Sequence, residues 1–139
     1  MILEKTLIII KPDIKEIGLV KEIINILESK KLEIVEMKIV QLTSKKAEDF
    51  YQEHKGKDWF KKMIKFMCSY PVVVMCLKGV DAIKISREII GATNPQEAEI
   101  GTIRKIYGKS IDNNAIHGSD SQQAAEREIK FFFSEKKLT

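Results

Sequence analysis

Thr6-Leu7-Ile8-Ile9-Ile10-Lys11-Pro12-Asp13 is the stretch that decides the fold. Residues 7–10 are apolar without a break and rich in β-branched side chains. A short continuous run of this kind suggests a central strand. Pro12 cannot donate to a sheet ladder and ends it. Lys11 therefore emerges at the strand's end, where a solvated lysine is the ordinary outcome.

Outward from this strand, hydrophobic periodicity sets the remaining elements. Residues 20–29 read as a helix with Ile23, Ile24 and Leu27 on one face. Residues 32–42 alternate imperfectly and read as a strand with one buried face. Thr43 or Ser44 can cap a helix over 46–54, and Asp58 opens another that runs to about Cys68. Residues 72–77 form a second buried strand. Asp81 is placed to cap a helix that ends at Ile90, where Gly91 stops it. Residues 107–113 read as a polar loop, a short strand follows, and a last helix begins near residue 121. Without the inserted helix pair and the loop before the last strand, the order is βαββαβ. That is an α+β sandwich of ferredoxin-like type.

With 139 residues, the chain has the length of one domain, taken here as residues 1–139. Hydrophobic residues at 44% and charged residues at 32% are ordinary for a globular protein. A net charge of +4 is modest, and the lysines are scattered rather than striped. It permits an anionic ligand without demanding one, and it lacks the basic, aromatic-interleaved stripe of a nucleic-acid binder. The apolar runs are too short to span a bilayer, and the N-terminus lacks a signal-peptide pattern. Cys68 and Cys76 have no metal-ligand spacing. They read as free thiols of a reducing compartment, although two cysteines could also pair. The expected location is cytoplasmic.

The chemistry concentrates in Asn114-Ala115-Ile116-His117-Gly118-Ser119-Asp120. His117 falls where an extended segment gives way to a helix. Asp120 with Gln123, or Ser119 with Gln122, has capping-box spacing. Backbone N–H groups at a helix start can hold an anion, and Gly118 puts no side chain in the way. An ordinary imidazole is largely neutral at pH 7 and can act as a nucleophile. In the helix that follows, Glu128 interrupts an apolar stripe of Ala124, Ala125, Ile129 and Phe132. A carboxylate there needs a partner. A bond to one nitrogen of His117 would fix the tautomer and leave the other nitrogen free.

The string Asn-Ala-Ile-His-Gly-Ser-Asp closely resembles the active-site signature of nucleoside diphosphate kinases. Lys11-Pro12-Asp13, Ala92-Thr93-Asn94-Pro95 and Gly101-Thr102-Ile103-Arg104 resemble further elements of that family, in order and at its spacing. The resemblance implies the ferredoxin-like fold with a four-stranded antiparallel sheet. It implies reversible transfer of the γ-phosphate of ATP to a nucleoside diphosphate through phosphohistidine at His117. By the same carry-over, Lys11 touches the transferred phosphate and Tyr51 lies beside the histidine. Glu128 holds the ring and Ser119 bonds Glu128. Arg87, Thr93 and Arg104 receive the phosphates, and Asn114 reaches the ribose or phosphate edge. Trp59 stands where the family usually has a Phe that stacks on the base, and it keeps a flat π-face. Mg2+ is expected to arrive on the nucleotide, because no carboxylate cluster suggests an all-protein cage. The family's assemblies imply a homo-oligomer, either tetramer or hexamer.

Three features depart from the family or mislead. Ile100 replaces a common proline, and Lys105-Ile106-Tyr107 replaces a more usual small-Asp-Phe sequence. Gly108-Lys109-Ser110 imitates the end of a P-loop, but that motif needs glycine where Ile103 stands. His54, in a run of polar residues, reads as a surface histidine. The chief rival reading is a nucleotide-binding regulator without catalysis, because the fold alone does not choose between them.

Overall fold

The structure, a computed structural model, describes residues 2–134. Its strands are β1 (Leu3–Ile10), β2 (Glu33–Val40), β3 (Val72–Val80) and β4 (Ile116–Gly118). They form one four-stranded sheet in the order β2-β3-β1-β4, with every pair antiparallel. The helices are α1 (Ile17–Glu28), α2 (Ser44–Phe50), α3 (Phe60–Met67), α4 (Ala82–Ile90), α5 (Ile103–Tyr107) and α6 (Gln122–Phe133). This is the expected α+β architecture with the expected antiparallel sheet.

The apolar run in β1 is explained by helices on both faces of the sheet. Leu7 and Ile9 pack with α2, α3 and α6, beside Val72, Val74 and Cys76 of β3. Ile8 and Ile10 point the other way, into α1, α4 and α5, beside Met75 and Leu77. Successive side chains of a strand alternate faces, so a strand covered on both sides has no polar positions to show. β2 is different. It is an edge strand with alternating exposure, and Val35, Met37 and Ile39 of its outward row are exposed.

Local chemistry sets the ends. Thr43 caps α2 by accepting from Lys46 N, and Thr102 caps α5 by accepting from Lys105 N. Two expected caps are corrected. α6 is capped by Ser121, which accepts from Ala124 N, and not by Ser119 or Asp120. Ser119 is unavailable because β1 and Glu128 already hold it. At α4, Asp81 sits before the first turn with φ 52° and makes no side-chain cap. Glu4 of β1 takes that role, its Oε1 accepting from Ile83 N at 2.9 Å. The five-residue helix α5 falls where no helix was expected, and a 3-10 turn over Gln52–His54 replaces the end of the predicted second helix. Cys68 and Cys76 are both free thiols. Among the described residues, no helix is long and apolar enough to cross a membrane. From the sequence, residues 134–139 read as a charged tail short of fixed structure; apart from Ser134 they lie outside the described residues.

Candidate active site

β4 pairs with β1 so that His117 lies opposite Ile9. Directly paired residues point to the same face, and the imidazole therefore faces α2 and α6. The ring of Phe50 meets it edge-on, with centroids 5.8 Å apart. Glu128 reaches it from α6, with Nε2 and Oε1 2.9 Å apart. Glu128 is 5% exposed and His117 keeps part of its ring open. An ionised carboxylate can only accept, so the ring hydrogen sits on Nε2 and Nδ1 keeps its lone pair. Among the described residues, Nδ1 has no hydrogen-bond partner.

Glu128 is itself held. Ser119 Oγ donates to Oε1 at 2.7 Å, and the same hydroxyl accepts from Leu7 N at 3.1 Å. Ser119 N also donates to Leu7 O at 3.1 Å. The chain leaving β4 is thus pinned to the central strand at the residue that orients the carboxylate. Arg127 approaches the other oxygen, 3.7 Å from Oε2. The sequence reading missed Arg127, whose one signal was its place beside Glu128. Tyr51 is buried and meets Phe50 edge-on, centroids 4.9 Å apart. Burial, then the Glu128 charge, push its hydroxyl well above the usual tyrosine range, so it remains a donor.

Lys11 ends β1 with its N–H on Ala115 O at 2.8 Å. Its ammonium donates to Asn114 Oδ1 at 2.9 Å. Burial, and then the nearby Arg104 charge, lower its pKa to about 8, while Asp13 and Asp112 pull it back up. Asn114 is buried, and its Nδ2 donates to Thr93 O at 3.0 Å. Both ends of this amide are thus engaged within the protein, and its position links Lys11 to the Thr93 turn.

Arg104 projects from α5 and donates to Gly91 O at 3.1 Å and Ile116 O at 2.8 Å. Its Nε is buried with no partner among the described residues. Burial, and then the charge of Arg87, lower its pKa to about 10. Arg87, on α4, is exposed and lines a small cavity with Arg104, Ile90, Gly91 and Gly118. Two neighbouring guanidinium groups repel each other, so an anion between them relieves a standing electrostatic cost. Gly118 serves packing as well as access. A Cβ there would come within 2.6 Å of Ile90 Cδ1, the movable end of that side chain, so the glycine leaves room for the Ile90 tip against β4.

Trp59 stands exposed just before α3. His54 lies against its ring, centroids 5.1 Å apart, and Lys57 Nζ is 5.2 Å from the indole centroid. His54 is therefore half-buried against the indole, where a plain surface histidine was expected. Lys62 of α3 pairs with Asp112, in the segment before β4, at 3.6 Å. A cavity of about 1010 Å³ lies between the start of β1 and α6. None of the predicted site residues lines it, so volume alone does not mark the site.

The model of the family described as nucleoside diphosphate kinase matches residues 4–138. The chain belongs to that family. Phosphoryl transfer between nucleoside triphosphates and diphosphates is the activity that membership carries. The chain is 51% identical over 136 residues to the nucleoside diphosphate kinase of Helicobacter hepaticus, covering 98% of this chain and 99% of that one. It is 46% identical over 138 residues to that of Rickettsia bellii, covering 99% of each. The solved Aquifex aeolicus nucleoside diphosphate kinase superposes with a TM-score of 0.92 at 41% identity, covering 95% of this chain and 96% of that chain. The Halobacterium salinarum enzyme, solved in complex with CDP, gives a TM-score of 0.91 at 39% identity, covering 96% and 89%.

Proposed function

We propose that the chain, as one catalytic domain over residues 1–139, exchanges phosphate between nucleotides through a phosphohistidine at His117. The observation that carries this is the His117–Glu128 bond, which leaves Nδ1 as the available nucleophile. The Nδ1 lone pair attacks the γ-phosphorus of ATP. An N–P bond forms, the bond from phosphorus to the β-phosphate oxygen breaks, and ADP leaves with that electron pair. No proton has to move, because Nε2 keeps its hydrogen and Glu128 faces the imidazolium charge that develops. A second nucleoside diphosphate then takes the phosphoryl group by the reverse step, which predicts ping-pong kinetics.

The transition state of such a transfer is loose, and catalysis is chiefly positioning and charge. Lys11 and the guanidinium groups of Arg87 and Arg104 supply positive charge. Thr93 supplies an exposed hydroxyl, and Tyr51 a protonated phenol behind Phe50. Asn114 sets the place of Lys11 and of the Thr93 turn. Trp59 offers its indole face to the base. The nucleotide enters as its Mg2+ complex. Among the described residues no group of three acidic, His or Cys side chains could hold a metal, and the cationic donors suit phosphate oxygens.

The reading includes a homo-oligomer, supported by the edge strand β2. An edge with an exposed apolar row of Val35, Met37 and Ile39 is a ready surface for another strand. It also includes a cytoplasmic location, supported by the two free thiols.

The test is exchange of phosphate from ATP to GDP, with each substrate varied in turn. Parallel double-reciprocal lines are expected, and His117→Ala should abolish exchange. Intersecting lines, or activity that survives the substitution, would overturn the reading.

A further inference from the structure

Ala115 is fully buried and has φ 77°, a left-handed conformation that a residue with a Cβ adopts only at a cost. Its peptide groups are held from both sides. Asp13 Oδ2 accepts from Ala115 N at 3.0 Å, and Ala115 O accepts from Lys11 N at 2.8 Å. The preceding residue, Asn114, receives the Lys11 ammonium at 2.9 Å. The backbone and the side chain of Lys11 thus both rest on a two-residue unit that Asp13 clamps. Asp13 Oδ1 is buried with no hydrogen-bond partner among the described residues. A carboxylate oxygen left without a hydrogen bond is costly unless a nearby charge compensates it.

We propose that Asp13 is a positioning residue for Lys11. It holds the left-handed Ala115 peptide that places Asn114 under the ammonium, and its negative charge favours the charged form of that ammonium, so that Lys11 meets the phosphate as a cation. The relevance to phosphate transfer rests on the function proposed for Lys11 above; the clamp and the charge do not.

The charged groups acting on Lys11 are few. Arg104, from α5, acts against its charge, while Asp13 and Asp112 act for it. Asp112 is exposed and already paired with Lys62 at 3.6 Å. Asp13 is less exposed and its field is less screened by water. The effect is mutual: burial raises the Asp13 pKa, while its backbone hydrogen bonds and then the Lys11 and Lys109 charges draw it back.

The experiment measures the pH dependence of acylation of the Lys11 amine by acetic anhydride, followed by mass spectrometry on the intact, nucleotide-free protein. The wild-type midpoint should lie near 8. Asp13→Asn keeps an oxygen for Ala115 N–H and removes the charge. Loss of a nearby anion disfavours the ammonium, so the midpoint should fall by about one pH unit. Asp13→Glu keeps the charge but misplaces the clamp. Its midpoint should stay at the wild-type value, while phosphorylation by ATP falls at every pH. In Asp13→Asn, phosphorylation should fall several-fold at about pH 8.5 and little at about pH 6.5, because only the higher pH then strips the proton. An unchanged midpoint in a folded Asp13→Asn variant would overturn the proposal. If that variant does not fold, Lys11→Met decides: the Asp13 carboxyl, followed by NMR, should titrate at higher pH, and an unmoved carboxyl would overturn the proposal. Acylation needs no turnover, so a chain inert to ATP would sink the phosphotransfer reading without touching this one.

Discussion

Two halves of the site are built on different terms. Around His117, every polar atom that orients the ring is tied to the sheet: Glu128 to Ser119, Ser119 to Leu7, and His117 to Ile9 through the strand ladder. Around Trp59, the groups lie at the surface, with His54 half-buried against the indole, and they meet in pairs such as Lys62–Asp112 and His54–Trp59. The half proposed to perform the chemistry is part of the fold, and the half proposed to meet the nucleoside is laid on its surface. Substitutions in the first should change kcat and stability together, and substitutions in the second should change KM alone.

The largest break comes from His117→Ala. It removes the proposed nucleophile, and kcat should fall by roughly 10⁴-fold or more in a steady-state assay. Glu128→Ala comes next. It leaves Ser119 Oγ and His117 Nε2 without their acceptor and should cost about 1–3 kcal/mol in denaturant unfolding. By analogy with carboxylates that orient metal-bound histidines, it should slow phosphorylation roughly 10- to 100-fold. A variant that lost neither would mean that the inner half is not a unit.

The pairing of His117 with Glu128 is legible in the sequence, because an acid within an apolar helical stripe has few solutions. The central strand is legible for a related reason: a run without polar positions fits a strand covered on both sides. Competition in three dimensions leaves no such trace. Ser119 has good cap spacing, yet two tertiary partners claim its hydroxyl, and the cap passes to Ser121. Asp81 looks like a cap, but a Glu4 carboxylate more than seventy residues away fills the role. The left-handed Ala115 carries no local signal, since alanine is a poor fit for that conformation and the bonds that hold it come from Asp13 and Lys11 at the end of β1. The α5 helix is too short for periodicity to reveal.

The pH dependence sharpens the comparison. The Lys11 pKa is lowered to about 8, so its positive charge is complete below that pH and is lost as pH rises through it. The rate of phosphorylation should therefore decline above pH 8. The sign for stability is opposite. An unfolded chain keeps that proton up to the ordinary value of 10.5, so this group makes the folded state more stable as pH rises from about 8 towards 10.5. Unfolding curves of wild type and Lys11→Met should diverge in that window.

Outer-half substitutions should be milder. Trp59→Ala should remove about 1–3 kcal/mol of base stacking, a rise in KM of roughly 5- to 150-fold, with kcat kept. Its unfolding midpoint should hardly move, because the indole is 44% exposed. Lys62→Ala breaks only a surface ion pair and should change KM less than about twofold. A large loss of stability from either would erase the distinction between the halves.

The most direct measurement is the site of phosphate attachment after incubation with ATP alone, read by the coupling of phosphorus to nitrogen in 15N-labelled protein. With Nε2 held by Glu128, the phosphorus should couple to Nδ1 of His117, and the label should be acid-labile and absent from His117→Ala. Coupling to Nε2, or a phosphate that persists in the alanine variant, would contradict the account.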